Sequence, residues 1–282
     1  MSNWNWDSSW PAPAKLNLFL HVVGRRADGY HLLQTIFRFI DRADTLHFEP
    51  RSDGQIVLAT PIPGVPADSD LTVRAARQLQ TAAGCQQGAT IHLDKQLPMG
   101  GGLGGGSSDA ATVLLALNHL WQTGLSRPEL EKLGLTLGAD VPVFVHGRNT
   151  FAEGVGEAFT DVDLPPESYL VLHPAVHVPT AAIFGAPELK RDTAAISPAE
   201  WHHGQGHNDL EAVACARFPA VAEHLAWLKR HASQAMMTGS GACVFAGFPR
   251  HADAEALLGS LPTGMSGWIA DGLAEHPLAK IR

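Results

Sequence analysis

Apolar and polar positions along this chain follow two periods, and the switches between them mark its elements. Alternation of period two predicts strands over residues 16–23, 35–41, 45–49 and 55–59, the last two around a turn at Ser52-Asp53-Gly54. Leu71, Ala75, Leu79 and Ala82 fall on one side of a helix over Leu71–Ala83, and a strand follows near 90–93. Beyond a glycine run, Ala110, Val113, Leu114, Leu117, Leu120 and Trp121 recur at helical spacing, predicting a helix near 108–121 that Ser107, Ser108 or Asp109 would cap. A further helix is expected over Arg127–Leu137, then strands at 141–146 and Thr150–Glu153, with Gly154-Val155-Gly156 as a link between two halves. The second half predicts a strand at 169–173 and helices at 208–216 and 220–231, broken at Pro219. Strands at 235–238 and 242–247, a helix at 252–258 and a strand over Gly267–Asp271 complete it. Strands and helices cluster instead of alternating strictly, which favours an α+β fold over a doubly wound sheet. The expected division is 1–153 and 154–282, with the tryptophan-rich residues 1–11 as an extension that packs on the body or stays loose.

Composition narrows the class. The chain has 282 residues, 45% hydrophobic and 17% charged, which suits an ordinary folded domain pair. A formal net charge of −8 argues against a broad nucleic-acid or acidic-membrane surface, so an anionic ligand must be met by backbone donors and a few cations. Cys85, Cys215 and Cys243 are odd in number and far apart, which points to a reducing compartment. No apolar run approaches the ~18 residues of a membrane span, and the N-terminus lacks the layout of a signal peptide; a cytoplasmic chain is expected.

The chemistry is carried first by Gly100–Gly106, where six glycines fill seven positions. Glycine lets a ligand approach the backbone closely, and a glycine loop that feeds a helix N-terminus presents free N–H groups and the positive end of the helix dipole to an anion. A nucleotide phosphate is the expected anion. A flexible linker is the plain alternative, but the stretch lies between a strand and an amphipathic helix. No Gly-Lys-Ser/Thr ending is present, which excludes a Walker A loop; no His-Arg-Asp or Asp-Phe-Gly is present, which excludes the protein-kinase set. Gly100, Gly102 and Gly105 satisfy G-x-G-x-x-G, but a second helix follows where a dinucleotide fold needs a strand ending in an acidic residue.

Pro98-Met99-Gly100-Gly101-Gly102-Leu103-Gly104-Gly105-Gly106-Ser107-Ser108-Asp109-Ala110-Ala111 resembles the phosphate loop of the GHMP small-molecule kinases. Two further segments, Pro13-Ala14-Lys15-Leu16-Asn17-Leu18 and Met237-Thr238-Gly239-Ser240-Gly241-Ala242, resemble that family's other motifs and stand in its order. The resemblance implies an S5-like N-terminal domain and a ferredoxin-like C-terminal domain with a ligand cleft between them. It also implies ATP as co-substrate, with Mg²⁺. Gly24-Arg25-Arg26-Ala27-Asp28-Gly29-Tyr30-His31, Leu137-Gly138-Ala139-Asp140-Val141-Pro142 and Pro179-Thr180-Ala181-Ala182-Ile183-Phe184 are similar to one branch of the family. Its acceptor is a cytidine diphosphate-linked methylerythritol.

The resemblance assigns catalysis to Lys15 and Asp140: the carboxylate orients the acceptor hydroxyl and takes its proton, and the lysine keeps that carboxylate ionised. Alternation puts Lys15 and Asn17 on one strand face. Asp140 could otherwise be a turn aspartate, and Lys15 an edge-strand lysine. Asn17, Tyr30, His31, Thr180 and Phe184 are the implied acceptor contacts, with Tyr30 and Phe184 stacking on cytosine and His31 and Thr180 hydrogen-bonding. The same resemblance implies that residues 98–108 hold the phosphates and that Lys95 and Asp70 lie near the adenine, with Ser107 or Ser108 as the candidate metal ligand. His202, His203 and His207 lack a partner spaced for zinc and read as a solvated loop. Arg127, Glu129, Glu131 and Lys132 read as a solvated helix face. The expected state is a monomer or weak homodimer. A kinase for homoserine, mevalonate or a sugar, or a non-catalytic nucleotide sensor on the same fold, are the competing readings.

Overall fold

Two antiparallel-dominated sheets divide the chain in the computed structural model, which describes residues 4–62 and 64–281. The first is built on β1 (Trp10–Arg25) and β2 (His31–Arg51), which pair antiparallel with Lys15 opposite Phe39 and Asn17 opposite Phe37. The expected break between 41 and 45 is absent: β2 runs through both segments and ends at Arg51, just before the expected turn at Ser52-Asp53-Gly54, pairing with β5 (Thr150–Glu153) near its start and β4 (Gly88–Asp94) near its end. β3 (Ile56–Leu58) pairs parallel with β4, and β6 (Ala158–Asp161) pairs with β5, giving the order β3-β4-β2-β5-β6 with β1 on β2. Gly154-Val155-Gly156 is therefore the turn of the β5–β6 hairpin, and not a link between halves; the expected 153/154 division falls inside that hairpin.

α1 (Leu71–Ala83) and α3 (Arg127–Leu137) form where their apolar spacing predicts. α2 (Gly105–Leu120) starts three residues before the expected boundary. Its N-cap is Gly104 in the left-handed region at φ 74°, so Ser107, Ser108 and Asp109 lie inside the helix instead of capping it. Residues from Ser108 to Asn118 are buried on every side of α2, which makes it the axis of the first core. Val141–His146, expected as a strand, is helix α4. A short buried apolar run carries no periodicity that separates strand from helix, and Pro142 is suited to a first helical turn because its missing N–H has no partner there.

The second sheet has the order β10-β7-β9-β8, from β7 (Ser168–Leu172), β8 (Met236–Met237), β9 (Val244–Phe248) and β10 (Gly267–Asp271). All its pairings are antiparallel, and in chain order the strands read 4-1-3-2, the arrangement of a ferredoxin-like split βαβ layer. Helices α5 (Thr180–Phe184), α6 (Glu211–Arg217), α7 (Pro219–His231) and α8 (His251–Leu258) belong to this half. Pro219 begins α7, the position where proline is tolerated. The chain then returns to the first half: Leu273 N–H donates to Phe39 O and His276 N–H to Gly147 O, and Leu278 is buried in the first core. Of the N-terminal extension, residues 1–3 lie outside the described residues; Trp4 stacks on the fully buried Trp10 at 4.8 Å, so from there on the segment packs.

Candidate active site

A cleft of about 1030 Å³ opens between the two sheets and is lined from both halves of the chain. Its floor is made by backbone meeting backbone. Ala242 N–H donates to Gly100 O and Cys243 N–H to Gly101 O, which docks the glycine run onto the loop before β9. Gly102 (φ 73°) has no room for a side chain, because a Cβ there would overlap the Thr238 carbonyl oxygen. Gly239 faces it from the turn between β8 and β9, where a Cβ would lie 2.9 Å from Gly102 O. Asn208 Nδ2, on the connection into α6, donates to Met237 O (2.7 Å) and Gly239 O (2.8 Å), holding that second loop in shape. The N–H groups of Gly105, Gly106 and Ser107 have no partner within α2 and stand at its positive end.

Lys15 reaches this floor from β1. Its side chain is 3% exposed; its ammonium donates to Asn17 Oδ1 at 2.6 Å and to Gly102 O at 2.9 Å, and forms an ion pair with Asp140 Oδ2 at 3.5 Å. A buried ammonium is tolerable only with such partners. Asn17, on the Lys15 face of β1, in turn donates to Thr35 Oγ1 (2.8 Å). Asp140 stands at the start of α4, makes no capping bond to that helix, and remains 39% exposed, so its carboxylate is held by Lys15 while facing the cleft.

At the end of the cleft beside α1, Ile62, Val65, Leu71 and Met99 supply an apolar wall. Asp70 is buried there, but its carboxylate caps α1, accepting from Thr72 N–H at 2.8 Å. Lys95 lies against the first turn of α2, paired with Asp44 and with Asp109 Oδ2 (2.8 Å). Burial lifts the Asp109 carboxyl to about 7 against the pull of Lys95, with Asp44 adding to the rise. Ser107 opens on the cleft; Ser108 does not, being fully buried with its hydroxyl donated to Pro13 O at 2.7 Å.

The opposite wall comes from the β1–β2 hairpin tip and α5. The His31 and Phe184 rings meet at 5.0 Å between centroids. Tyr30, expected as Phe184's stacking partner, is 64% exposed at the tip of the hairpin and lines the cleft mouth. Thr180 Oγ1 lies 2.8 Å from Ser240 Oγ, which ties the start of α5 to the second glycine loop. Arg191, unmarked by any motif, joins Phe184 and His31. The histidines of the expected solvated loop separate: His203 pairs with Glu167 at 2.9 Å and His207 with Asp209 at 2.7 Å. No cluster of three or more His, Cys, Asp or Glu fit to hold a metal occurs among the described residues.

Sheet order, double glycine floor and a lysine–aspartate pair in the cleft define a class, that of the GHMP small-molecule kinases. The family model for the GHMP kinases N terminal domain matches residues 70–148, and that for the GHMP kinases C terminal matches 190–267. The chain is 84% identical over 272 residues (96% of this chain, 99% of the relative) to 4-diphosphocytidyl-2-C-methyl-D-erythritol kinase of Dechloromonas aromatica (strain RCB). It is 61% identical over 272 residues (96% and 98%) to the enzyme of that name from Thiobacillus denitrificans (strain ATCC 25259 / T1). A crystal structure of 4-(cytidine 5'-diphospho)-2C-methyl-D-erythritol kinase superposes with a TM-score of 0.81 at 36% identity, covering 94% of this chain and 99% of that one. The chain belongs to the 4-diphosphocytidyl-2-C-methyl-D-erythritol kinase family.

Proposed function

We propose that this protein transfers the γ-phosphate of ATP to the 2-hydroxyl of 4-diphosphocytidyl-2-C-methyl-D-erythritol, giving the 2-phosphate and ADP, a step of non-mevalonate isoprenoid precursor synthesis. The observation that carries the reading is the Lys15–Asp140 pair, 3.5 Å apart beside the glycine loop and on the same cleft as the His31–Phe184 wall. ATP phosphates lie against the free N–H groups that open α2, with adenine toward Ile62, Val65 and Met99. The acceptor base sits by Phe184, His31 and Tyr30, and the hydroxyl reaches Asp140. Phosphoryl transfer passes through a loose transition state, so positioning and charge neutralisation do most of the work. Asp140 orients the hydroxyl and takes its proton as the new O–P bond forms and the bond to ADP breaks. Lys15, fixed by Asn17 and Gly102, holds the carboxylate in line.

Mg²⁺ enters with the nucleotide in this reading. Ser107 is a protein oxygen open to it, and one or two such oxygens suffice when phosphates supply the rest. When bound, the ion neutralises charge on the transferring phosphates. Both cleft walls come from one chain, which supports action as a monomer. The three cysteines are free, which supports a cytoplasmic location; no helix among the described residues is long and apolar enough to cross a membrane. ADP release is measured with ATP and Mg²⁺ alone and with the cytidyl substrate, homoserine, mevalonate or galactose. Release dependent on the cytidyl substrate is expected. Release with another acceptor keeps the kinase and overturns the cytosine pocket, and ATP binding without transfer favours the sensor.

A further inference from the structure

Phe184 and His31 lie 153 residues apart in sequence, and the side chain that joins them is Arg191. Its Nη2 donates to Phe184 O (3.0 Å) and Ala186 O (2.6 Å) at the carbonyl end of α5, and its Nη1 to Leu189 O (2.9 Å). Its Nε donates to His31 Nε2 at 3.0 Å. A guanidinium offers donors and no acceptor, so His31 Nε2 must carry the lone pair and the ring proton must sit on Nδ1. Free histidine prefers the opposite tautomer. We propose that Arg191 is a positioning residue for the acceptor wall: it fixes His31 as the neutral Nδ1–H donor and ties that ring to Phe184, so that the pair reads an acceptor atom on a stacked pyrimidine.

The assignment rests on the acceptor proposed above. Its chemistry is that of the wall itself. Phe184 offers a face to a base, and the fixed Nδ1–H selects a ring nitrogen or carbonyl oxygen over an exocyclic amine. Burial lowers the His31 pKa, and the charges of Arg191 and Arg25 lower it further, which keeps the ring neutral. No motif could have marked Arg191, because its partners are three backbone carbonyls and one ring nitrogen.

Two measurements separate this role from plain structure. The ¹⁵N spectrum of the His31 ring, assigned by its loss in His31→Gln, needs no substrate. At pH 7.5 the intact protein should show a protonated Nδ1 and bare Nε2, and Arg191→Met should shift the ring toward Nε2–H. In steady-state kinetics Arg191→Met should raise KM for the cytidyl substrate roughly 10-fold, as loss of one well-placed hydrogen bond does, with kcat and the KM for ATP within about twofold. Arg191→Lys, which keeps the charge but not the fork, should recover little of this. An Nε2–H or doubly protonated ring in the intact protein, or a spectrum unmoved by Arg191→Met, overturns the proposal. So does an equal rise in both KM values. A protein inactive on the cytidyl substrate but with the expected ring spectrum would sink the acceptor and leave the Arg191–His31 link standing.

Discussion

Asp140 and Lys15 differ in what their loss should do. Asp140 is partly exposed and caps nothing, so Asp140→Asn keeps shape and packing while removing the proton acceptor. Its kcat should fall roughly 10²–10⁴-fold with an unchanged melting temperature, and full activity would remove Asp140 from the base role. Lys15→Ala should cost on the order of 10²-fold in kcat, and also stability, because Asn17 Oδ1 and Gly102 O lose a buried donor. A loss confined to melting temperature would make Lys15 structural. Phe184→Ala should raise KM for the cytidyl substrate roughly 5- to 100-fold, the ~1–3 kcal/mol of a base–aromatic stack, and leave the KM for ATP nearly unchanged. An equal effect on both would assign Phe184 to packing. At this scale the sequence was legible where strand alternation governs, as for Lys15 and Asn17. It was not where ring geometry depends on a hairpin tip: Phe184 meets His31, with Tyr30 out at the mouth.

Elements with clear periods were legible to the residue, α1 and α3 among them. α4 was not, since six residues, five of them buried, with a proline at the second position satisfy strand and helix alike. α2 began early, with the positive-φ Gly104 as its N-cap and no capping side chain, after a loop held by backbone contact with the opposite half. Arg127 shows the same limit. It reads as part of a solvated face, yet it turns inward to donate to Leu278 O (2.7 Å) and Ala279 O (2.6 Å). The α2 entrance yields a paired prediction. Gly102→Ala forces a positive-φ residue into the Thr238 carbonyl, so it should lower stability by about 1–3 kcal/mol and raise KM for ATP at least about 10-fold. Gly106 is helical, and a Cβ there would meet Leu71 Cδ1 at an ordinary 3.6 Å, so Gly106→Ala should leave stability unchanged or raise it by up to about 1 kcal/mol. Equal destabilisation by the two would show that the loop is held by something other than its contact with the second half.

The two halves make one cleft only if their relative position is fixed, and the last residues of the described chain contribute to that. After β10 the chain crosses back, pairs with β2 at Ile40–Gly272, and is gripped by Arg127. Within this return His276 is 1% exposed: its Nδ1 accepts from Leu278 N–H at 3.0 Å, its ring packs edge-on to Phe39 at 5.4 Å, and its Nε2 is buried without a partner. Burial, aided by the charge of Arg127, pushes its pKa down to about 3. Because the folded value lies below the unfolded one near 6.5, the protonated ring is favoured only in the unfolded chain. The stabilising contribution is therefore complete above pH 6.5 and is lost as pH falls from there toward 3. Between pH 7 and pH 5 it amounts to about 2 kcal/mol. His21, His31 and His173 shift in the same direction, whereas His146 and His251 shift upward, so the total slope mixes several groups. His276→Asn isolates one of them, since its side-chain oxygen can still accept from Leu278 N–H. Denaturant midpoints at pH 7 and pH 5 should converge in this variant by about 1–2 kcal/mol relative to the parent. An unchanged pH difference would mean that the return segment opens before His276 is protonated, and that the clasp on the first half is weaker than its burial implies.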